Sequence, residues 1–449
     1  MRKFLAIAVC RVLRWIGKRI GRGSSLPGQA ALKICPDILS RVRLPDTVIA
    51  VTGSNGKTST VEMIAHVLAA AGKRFSYNRE GSNQIEGVTA LVLCSCTLGG
   101  KFKNDILLIE TDERYARHTF RYFSPTHYVI TNLYRDQLTR NGHPLWVYEA
   151  ILPSIPKDAV LLLNADDPLV SLFGRGRENT VWFGMERQSF STEEPTGIYD
   201  DGKYCPLCGG KMRYAYRHFH HIGAYACPVC GYRREEPAYR ITEADLENGF
   251  LTINGTDKIP LAFRSLYNAY NVLACYALCV TVGIDRETVV GSIGNYVLKN
   301  GRVVNFRLGE ALGTLLTSKH ENSVSYDQSL RYLVGRKEPC AVCVIVDAVS
   351  RKYFTSDVSW LWDIDFGILS DPCVEAVYLT GRYAYDLAVR FSYTDVDKQK
   401  LTVLPSIPEA VAAMKTGKQK RIYAVTCFSD RDKLLSLTEI LPNKEDATP

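Results

Sequence analysis

The chain has 449 residues, of which 46% are hydrophobic and 10% aromatic, enough for two or three domains with real cores. Its net charge of +8 is modest for that length, and no uninterrupted apolar stretch reaches the roughly 20 residues that a membrane-spanning helix needs. These values describe a globular chain without a transmembrane helix and give no reason to expect nucleic acid as a partner. Fourteen cysteines without the small-residue cleavage pattern of a signal peptide point to a reducing compartment, hence the cytoplasm, and to metal or core roles for the thiols.

In chain order, the first element is MRKFLAIAVCRVLRWIGKRIGRG, with seven Arg and Lys and no acid. Phe4, Leu5, Val9, Leu13, Trp15, Ile16 and Ile20 are interleaved with that charge. The pattern predicts a basic amphipathic helix within an N-terminal segment of residues 1–40. Such a helix can lie on an anionic membrane surface, or pack on the next domain with its basic face in water.

The second element is DTVIAVTGSNGKTST, Asp46 to Thr60. Val48 to Val51 has strand composition, and the residues after Thr58 place apolar side chains at helical spacing, so Gly53 and Gly56 lie on a strand-to-helix turn. Unpaired N–H groups at a helix N-terminus suit a phosphate, and glycines let the backbone approach it closely. Lys57 would then reach the β- and γ-phosphates, and the Thr58 hydroxyl a magnesium ion. Val51 stands where the standard G-x-x-x-x-G-K-T loop has its first glycine; the plain alternative is a βα turn with a solvated lysine.

Four more strand-like runs follow, DILLIET, THYVITN, AVLLLNADD and TVWFG, alternating with helical patterns. That alternation predicts a doubly wound parallel sheet whose ligands gather at the carboxyl ends of its strands. The polar clusters at those ends are Glu110 and Asp112, then Asn132 and Asp136, then Asn164, Asp166 and Asp167. Singly each is ordinarily a helix cap; three clusters on the edge that carries the phosphate loop make a candidate site.

Cys205, Cys208, Cys227 and Cys230 follow with C-x2-C-x18-C-x2-C spacing, each pair followed by glycine. Four thiolates at this spacing predict one closed tetrahedral zinc that holds a ribbon of short strands and leaves no position for chemistry. RYAYRHFHH between the pairs mixes basic and aromatic residues, which leaves a nucleic-acid ribbon as the rival reading. Cys340 and Cys343 lie in an alternating strand pattern and read as core. A glutamine-hydrolysing enzyme needs an activated cysteine on a sharp turn, commonly G-x-C-x-G, backed by histidine. Cys275, Cys279 and Cys427 sit in apolar runs and the paired cysteines are assigned to metal, so any ammonia comes from solution or from a partner.

TGSNGKTST, ITNLYRDQL, LLNADDPL, YNAYNVLA and NGR, in this order and at these separations, resemble the ATP-binding central domain of the Mur ligases and folylpolyglutamate synthases. The ribbon between NADDP and YNAYN, LPG at Leu26 to Gly28, and SDVSWLWDIDF at Ser356 to Phe366 make nearly the whole chain similar to the MurT group. The resemblance implies an α/β fold: a Mur-ligase-type central ATP-binding domain at 41–300 with a parallel sheet, a zinc ribbon inserted at about 200–235, and a smaller α/β C-terminal domain at 301–449. It implies an ATP-dependent carbon–nitrogen ligase of peptidoglycan biosynthesis that amidates the D-glutamate of lipid II through an acyl phosphate. Its ammonia would come from a GatD-like glutaminase in a heterodimer.

By the same resemblance Gly53, Ser54, Asn55, Gly56, Lys57, Thr58 and Ser59 hold ATP, with Thr58 and Glu110 on Mg2+ and Zn2+ as a structural ion. Asn271 and the stretch Asn164 to Pro168, including Asp166, are implied on the adenine side, and Arg302 of NGR as a hinge arginine reaching the phosphates. Lys57 serves phosphoryl transfer, and Asp357 is implied as the third member of a Cys-His triad carried by the glutaminase. Asp136-Gln137 stands where other Mur ligases have Asp-His, so that histidine metal ligand is absent. The chain departs from the group at TSKHENSVS, around Lys319 to Asn322, where the group has Lys-Asn-Pro followed closely by glycine. It departs again at SRKYFT before Asp357, which is longer and more basic than the usual Asp-Gly turn. Two other classes stay open: a ligase joining an amino acid to a carboxylate without a glutaminase, and a non-catalytic, zinc-stabilised ATP-binding scaffold.

Overall fold

The computed structural model describes residues 1–19, 25–78, 82–262, 264–297, 303–348 and 356–441. The chain divides into two compact units, Met1–Tyr134 with Pro144–Pro195 and Asp200–Tyr296, and Arg135–His143 with Thr196–Tyr199 and Val297–Pro449. Residues 1–40, expected as a separate segment, fall within the first unit.

The first unit begins with α1 (Arg2–Arg19) and α2 (Leu26–Ile34), the latter started by Pro27, whose missing N–H costs nothing in a first turn. Then come β1 (Thr47–Thr52), α3 (Lys57–Ala70), β2 (Phe75–Tyr77), α4 (Ile85–Ser95), β3 (Ile106–Glu110), α5 (Ala116–Phe120) and β4 (His127–Ile130). The short α6 (Leu138–Asn141) belongs to the second unit. Next are α7 (Pro144–Ile151), β5 (Val160–Asn164), β6 (Thr180–Met185), the hairpin β7 (Arg213–Phe219) and β8 (Ile222–Ala226), β9 (Tyr239–Asp245), β10 (Phe250–Ile253) and β11 (Asp257–Pro260). Helices α8 (Leu266–Thr281) and α9 (Arg286–Gly294) close the unit.

Its nine-stranded sheet has the order β11-β10-β9-β6-β5-β4-β1-β3-β2. The pairs from β2 to β9 are parallel, and β9, β10 and β11 form an antiparallel edge. Both faces of β1 are buried: Val48 and Ala50 join one core with Ala6, Ile7, Cys10 and Val88, while Ile49 and Val51 point the other way. That is why the strand reads as a continuous apolar run without alternation.

Helix α1 corrects one expectation. It packs on α2 and α4 through Ala6, Ile7, Cys10 and Gly17, as a docked helix should. Basic residues are not all that is left in water, however: Phe4, Leu5, Val12, Trp15 and Ile16 are exposed beside Arg2, Lys18 and Arg19. The helix is apolar on two opposite sides.

The second unit contains β12 (Val303–Leu308), β13 (Ala311–Ser318), α10 (Ser323–Gly335), β14 (Cys340–Ile345), β15 (Val374–Thr380), α11 (Ala384–Phe391), β16 (Leu401–Leu404), α12 (Ile407–Thr416), β17 (Arg421–Cys427), α13 (Phe428–Leu435) and β18 (Glu439–Ile440). Its sheet runs β16-β15-β14-β17-β13-β12-β18, parallel from β16 to β13. Cys340 packs in the core on one face and Cys343 in the core on the other, as an alternating strand requires.

Candidate functional site

The turn after β1 is built for close backbone approach. Gly53 and Gly56 have φ of +134° and +86°, and a Cβ on them would lie 2.2 Å from Thr131 Oγ1 and 2.0 Å from Asn271 Oδ1. Only glycine fits both positions. The residues directly after β4 clamp the loop from one side: the Asn55 N–H donates to Asn132 Oδ1 (2.8 Å), and Asn132 Nδ2 and Thr131 Oγ1 donate to the Asn55 carbonyl (3.0 and 2.9 Å). Ser54 Oγ accepts the Tyr134 N–H at 2.9 Å. These bonds fix the loop so that its helix-side N–H groups are preorganised for an anion.

Lys57 opens α3 and is buried, its ammonium donating to the Gly53 carbonyl and to Glu113 Oε1, with Glu113 itself buried. The pairing with Glu113 was not foreseen in the sequence. ETDER offers three carboxylates in four residues at the end of β3, and spacing does not say which one faces the loop. Glu110 lies opposite Val51 in the β1–β3 register, buried, its Oε1 accepting Asn83 Nδ2 at 3.2 Å. Thr58 and Ser59, half-buried, stand in the first turn of α3. A strand-end carboxylate and a hydroxyl beside a phosphate loop are the hard oxygen donors that a magnesium ion takes.

The residues expected on the adenine side are placed differently from one another. Asn271, on α8, sits over Gly56 and accepts Thr60 Oγ1 at 3.4 Å. Asn164 Nδ2 donates to the Thr131 carbonyl (3.0 Å), tying β5 to the segment after β4. Asp166 is 0% exposed, and its carboxylate accepts from the Met185 N–H (2.7 Å), Tyr270 Oη (2.6 Å) and Arg234 Nε (2.5 Å). The Asp166 oxygens thus tie the ribbon's Arg234 to the sheet and to α8. Arg302 lies outside the described residues, as does SRKYFT.

The ribbon hairpin presents Cys205, Cys208, Cys227 and Cys230 with all four sulfurs within 4.8 Å of one another. Cys205 and Cys230 are 3.6 Å apart at Sγ, and Cys208 and Cys227 3.5 Å. A zinc–sulfur bond of about 2.3 Å sets a tetrahedron edge of roughly 3.8 Å, so the donor set fits that ion. The knuckle turns support it: the Gly210 N–H points at Cys208 Sγ (3.4 Å), and the N–H groups of Gly209 and Gly231 donate to the carbonyls of Cys205 and Cys227. In the turn of the hairpin, buried His221 lies 3.6 Å from Asp167. Burial alone would push that imidazole down, but the Asp167 charge prevails and holds its pKa above the usual value.

In the second unit, Asp136 is buried with Asn322 Nδ2 (2.6 Å) and Lys319 Nζ (3.4 Å), so the departing segment TSKHENSVS supplies two partners of its carboxylate. His320 of that segment bonds Ser429 Oγ at 2.8 Å. Asp357 is exposed and accepts the Ser359 N–H at 2.8 Å, a bond that holds its carboxyl below the usual carboxylate range. Next to it Val358, Leu361, Trp362, Tyr385, Asp386 and Val389 line a groove of about 380 Å³. Trp362, Tyr385, Val389 and Tyr393 are exposed there. The sequence holds a partial signal for this surface, since Tyr385 and Val389 are spaced one helical turn apart. Cys275 and Cys279 are buried in α8, and burial pushes the Cys427 thiol up to about 12.

Residues 51–203 match the model of the Mur ligase middle domain, and residues 320–430 that of the MurT ligase C-terminal region. The chain is 31% identical over 401 residues to the Staphylococcus aureus (strain COL) subunit MurT of lipid II isoglutaminyl synthase (glutamine-hydrolyzing), covering 88% of this chain and 89% of that one. To the Streptococcus pneumoniae subunit of the same name it is 28% identical over 447 residues, covering 98% and 97%. Among solved structures, a pseudomurein peptide ligase type C from Methanothermus fervidus superposes with a TM-score of 0.68 at 19% identity, covering 90% of this chain and 80% of that one. MurF from Acinetobacter baumannii gives 0.61 at 14% identity, with 90% and 79% covered. The two structures are similar to this chain in fold.

Proposed function

The chain belongs to the MurT family, and from that premise we propose that it is the synthetase subunit of a lipid II isoglutaminyl synthase. The reaction is ATP-dependent amidation of the D-glutamate α-carboxyl in the stem peptide of lipid II, giving D-isoglutamine in peptidoglycan biosynthesis. The observation that carries the reading is that relatives of this name match in sequence across both units, where an ordinary Mur ligase matches less of the sequence. A UDP-N-acetylmuramate–L-alanine ligase from Thermotoga petrophila matches only 38% of it.

The chemistry follows in two displacements. A carboxylate oxygen of the acceptor attacks the γ-phosphorus of ATP, the bond to the β-bridging oxygen breaks, and ADP leaves. Ammonia then attacks the acyl carbon of the resulting acyl phosphate, the C–N bond forms, inorganic phosphate departs and the nitrogen loses a proton. The loop from Gly53 to Ser59 holds the phosphates through backbone N–H groups, and Lys57 neutralises charge on the transferred phosphoryl group. Thr58 and Glu110 would hold magnesium, which would supply charge neutralisation for phosphoryl transfer. Asn271 and Asn164 stand on the proposed nucleotide side, and Arg302 is assigned to the phosphates on domain closure.

Ammonia comes from a GatD-like glutaminase docked at the second unit, whose histidine Asp357 orients. The exposed carboxylate next to an apolar groove supports this. Charged groups with aromatic neighbours are what a partner can desolvate. The acceptor places the reaction in the cytoplasm at the inner face of the plasma membrane; among the described residues no helix is long and apolar enough to cross it.

The test is purified chain, candidate glutaminase, ATP, glutamine labelled in its amide and lipid II, read by product mass. Labelled amide in the product with stoichiometric ADP is expected. ADP release that needs an amino acid and no glutaminase would favour the amino-acid ligase, and ATP binding without turnover the scaffold.

The ribbon cysteines are assigned one structural zinc. Metal analysis is expected to return about one zinc per chain, and Cys205→Ser to lose it and unfold at lower temperature, because binding free energy at such a site is folding free energy. A metal-free parent, or a Cys205→Ser protein as stable as the parent, contradicts the assignment.

A further inference from the structure

Helix α1 turns a second apolar face outward. At about 100° per residue, Phe4, Leu5, Val12, Trp15 and Ile16 form one stripe opposite the inward face of Ala6, Ile7, Cys10 and Gly17. Their exposures run from 43% for Ile16 to 57% for Trp15, so among the described residues none is covered. Single exposed apolar side chains are ordinary, but five along one helix of 18 residues, roughly 27 Å long, make a continuous patch. Its border is cationic. Arg2, Lys18 and Arg19 are exposed, the Arg19 guanidinium lies 3.9 Å over the Trp15 ring, and the helix contains no acid.

This combination selects among occupants. A second copy docking face to face would bring its own cationic border against this one, and like charges at an interface rim suppress association. An anionic bilayer offers what the face lacks on both counts, an apolar layer for the stripe and phosphates for its border. We propose that the outer face of α1 adsorbs in the plane of an anionic phospholipid surface, with Phe4, Leu5, Val12, Trp15 and Ile16 at the headgroup–acyl boundary and Arg2, Lys18 and Arg19 on the phosphates. The inference goes beyond the amidation reaction and rests on the helix surface alone, so either can fail without the other.

The experiment is co-sedimentation of the full chain with vesicles, without ATP or glutaminase. Vesicles of phosphatidylcholine containing about one-third phosphatidylglycerol should bind the chain at least about tenfold more tightly than phosphatidylcholine alone, and salt should weaken the binding. Val12→Glu/Trp15→Glu places charges in the stripe at exposed positions. It should lower the partition by at least about tenfold while melting temperature and ATP binding stay at parental values. Absence of binding to anionic vesicles, equal binding to both compositions, or undiminished binding by the double variant overturns the proposal. A concentration-dependent dimer, or a copurifying glutaminase, that the double variant loses without any vesicle binding overturns it in favour of a protein on that face.

Discussion

Lys57→Ala is expected to lower ATP-dependent amidation by at least about a hundredfold, because the ammonium is a charged donor aimed at charge that develops on the phosphoryl group. The structure adds a second effect. Lys57 and Glu113 are buried as a pair, their side chains 7% and 4% exposed. Removing Lys57 takes a buried charge partner from the Glu113 carboxylate, and breaking a buried ion pair costs on the order of 3–5 kcal/mol of stability. The single variant is therefore expected to melt lower as well as to lose activity. Lys57→Ala/Glu113→Gln separates the two effects, since a neutral amide at 113 removes the buried charge that Lys57 no longer balances. The double variant should regain most of the melting temperature and none of the amidation. Amidation within a few-fold of the parent in that stable double variant would show that Lys57 does not serve phosphoryl transfer.

Asp357→Asn is expected to reduce glutamine-dependent amidation by about a thousandfold or more, since an amide cannot stabilise the charged histidine that forms during glutamine hydrolysis. The substitution is mild for the fold: the remaining carbonyl oxygen can still accept the Ser359 N–H that Asp357 holds at 2.8 Å. Ammonia from solution bypasses the hydrolysis, so with an ammonium salt the variant should keep its rate within about a factor of three of the parent. Equal loss with both donors would place Asp357 in the synthetase chemistry or the fold. No loss with either would leave it as the residue that closes the turn before Ser359. A Trp362→Ser/Tyr385→Ser variant gives the complement, with weaker capture of the glutaminase and an unchanged ammonium rate.

What the sequence determined by itself is what depends on neighbours along the chain. The strand, the two positive-φ glycines and the helix that follows lie within Thr47 to Ala70, and each residue's local preference agrees with the others. The two C-x2-C knuckles are equally local, and their four sulfurs meet as the spacing requires. The alternation of apolar runs with helical patterns was legible as a parallel sheet because strands buried on both faces must be apolar throughout.

Only the tertiary structure decided the partnerships between distant residues. Lys57 meets Glu113, Gly56 meets Asn271, and Asp166 meets Arg234 and Tyr270, across sequence separations of 56 to 215 residues. Glu110, Asp112 and Glu113 have the same chemistry and differ by one to three positions, which in an extended or turning backbone is enough to reverse the side each faces. Nothing local to Asp166 shows that an arginine 68 residues later will pair with it. In α1 apolar residues populate two opposite sides, so periodicity alone does not select which side packs; contact with α2 and α4 does.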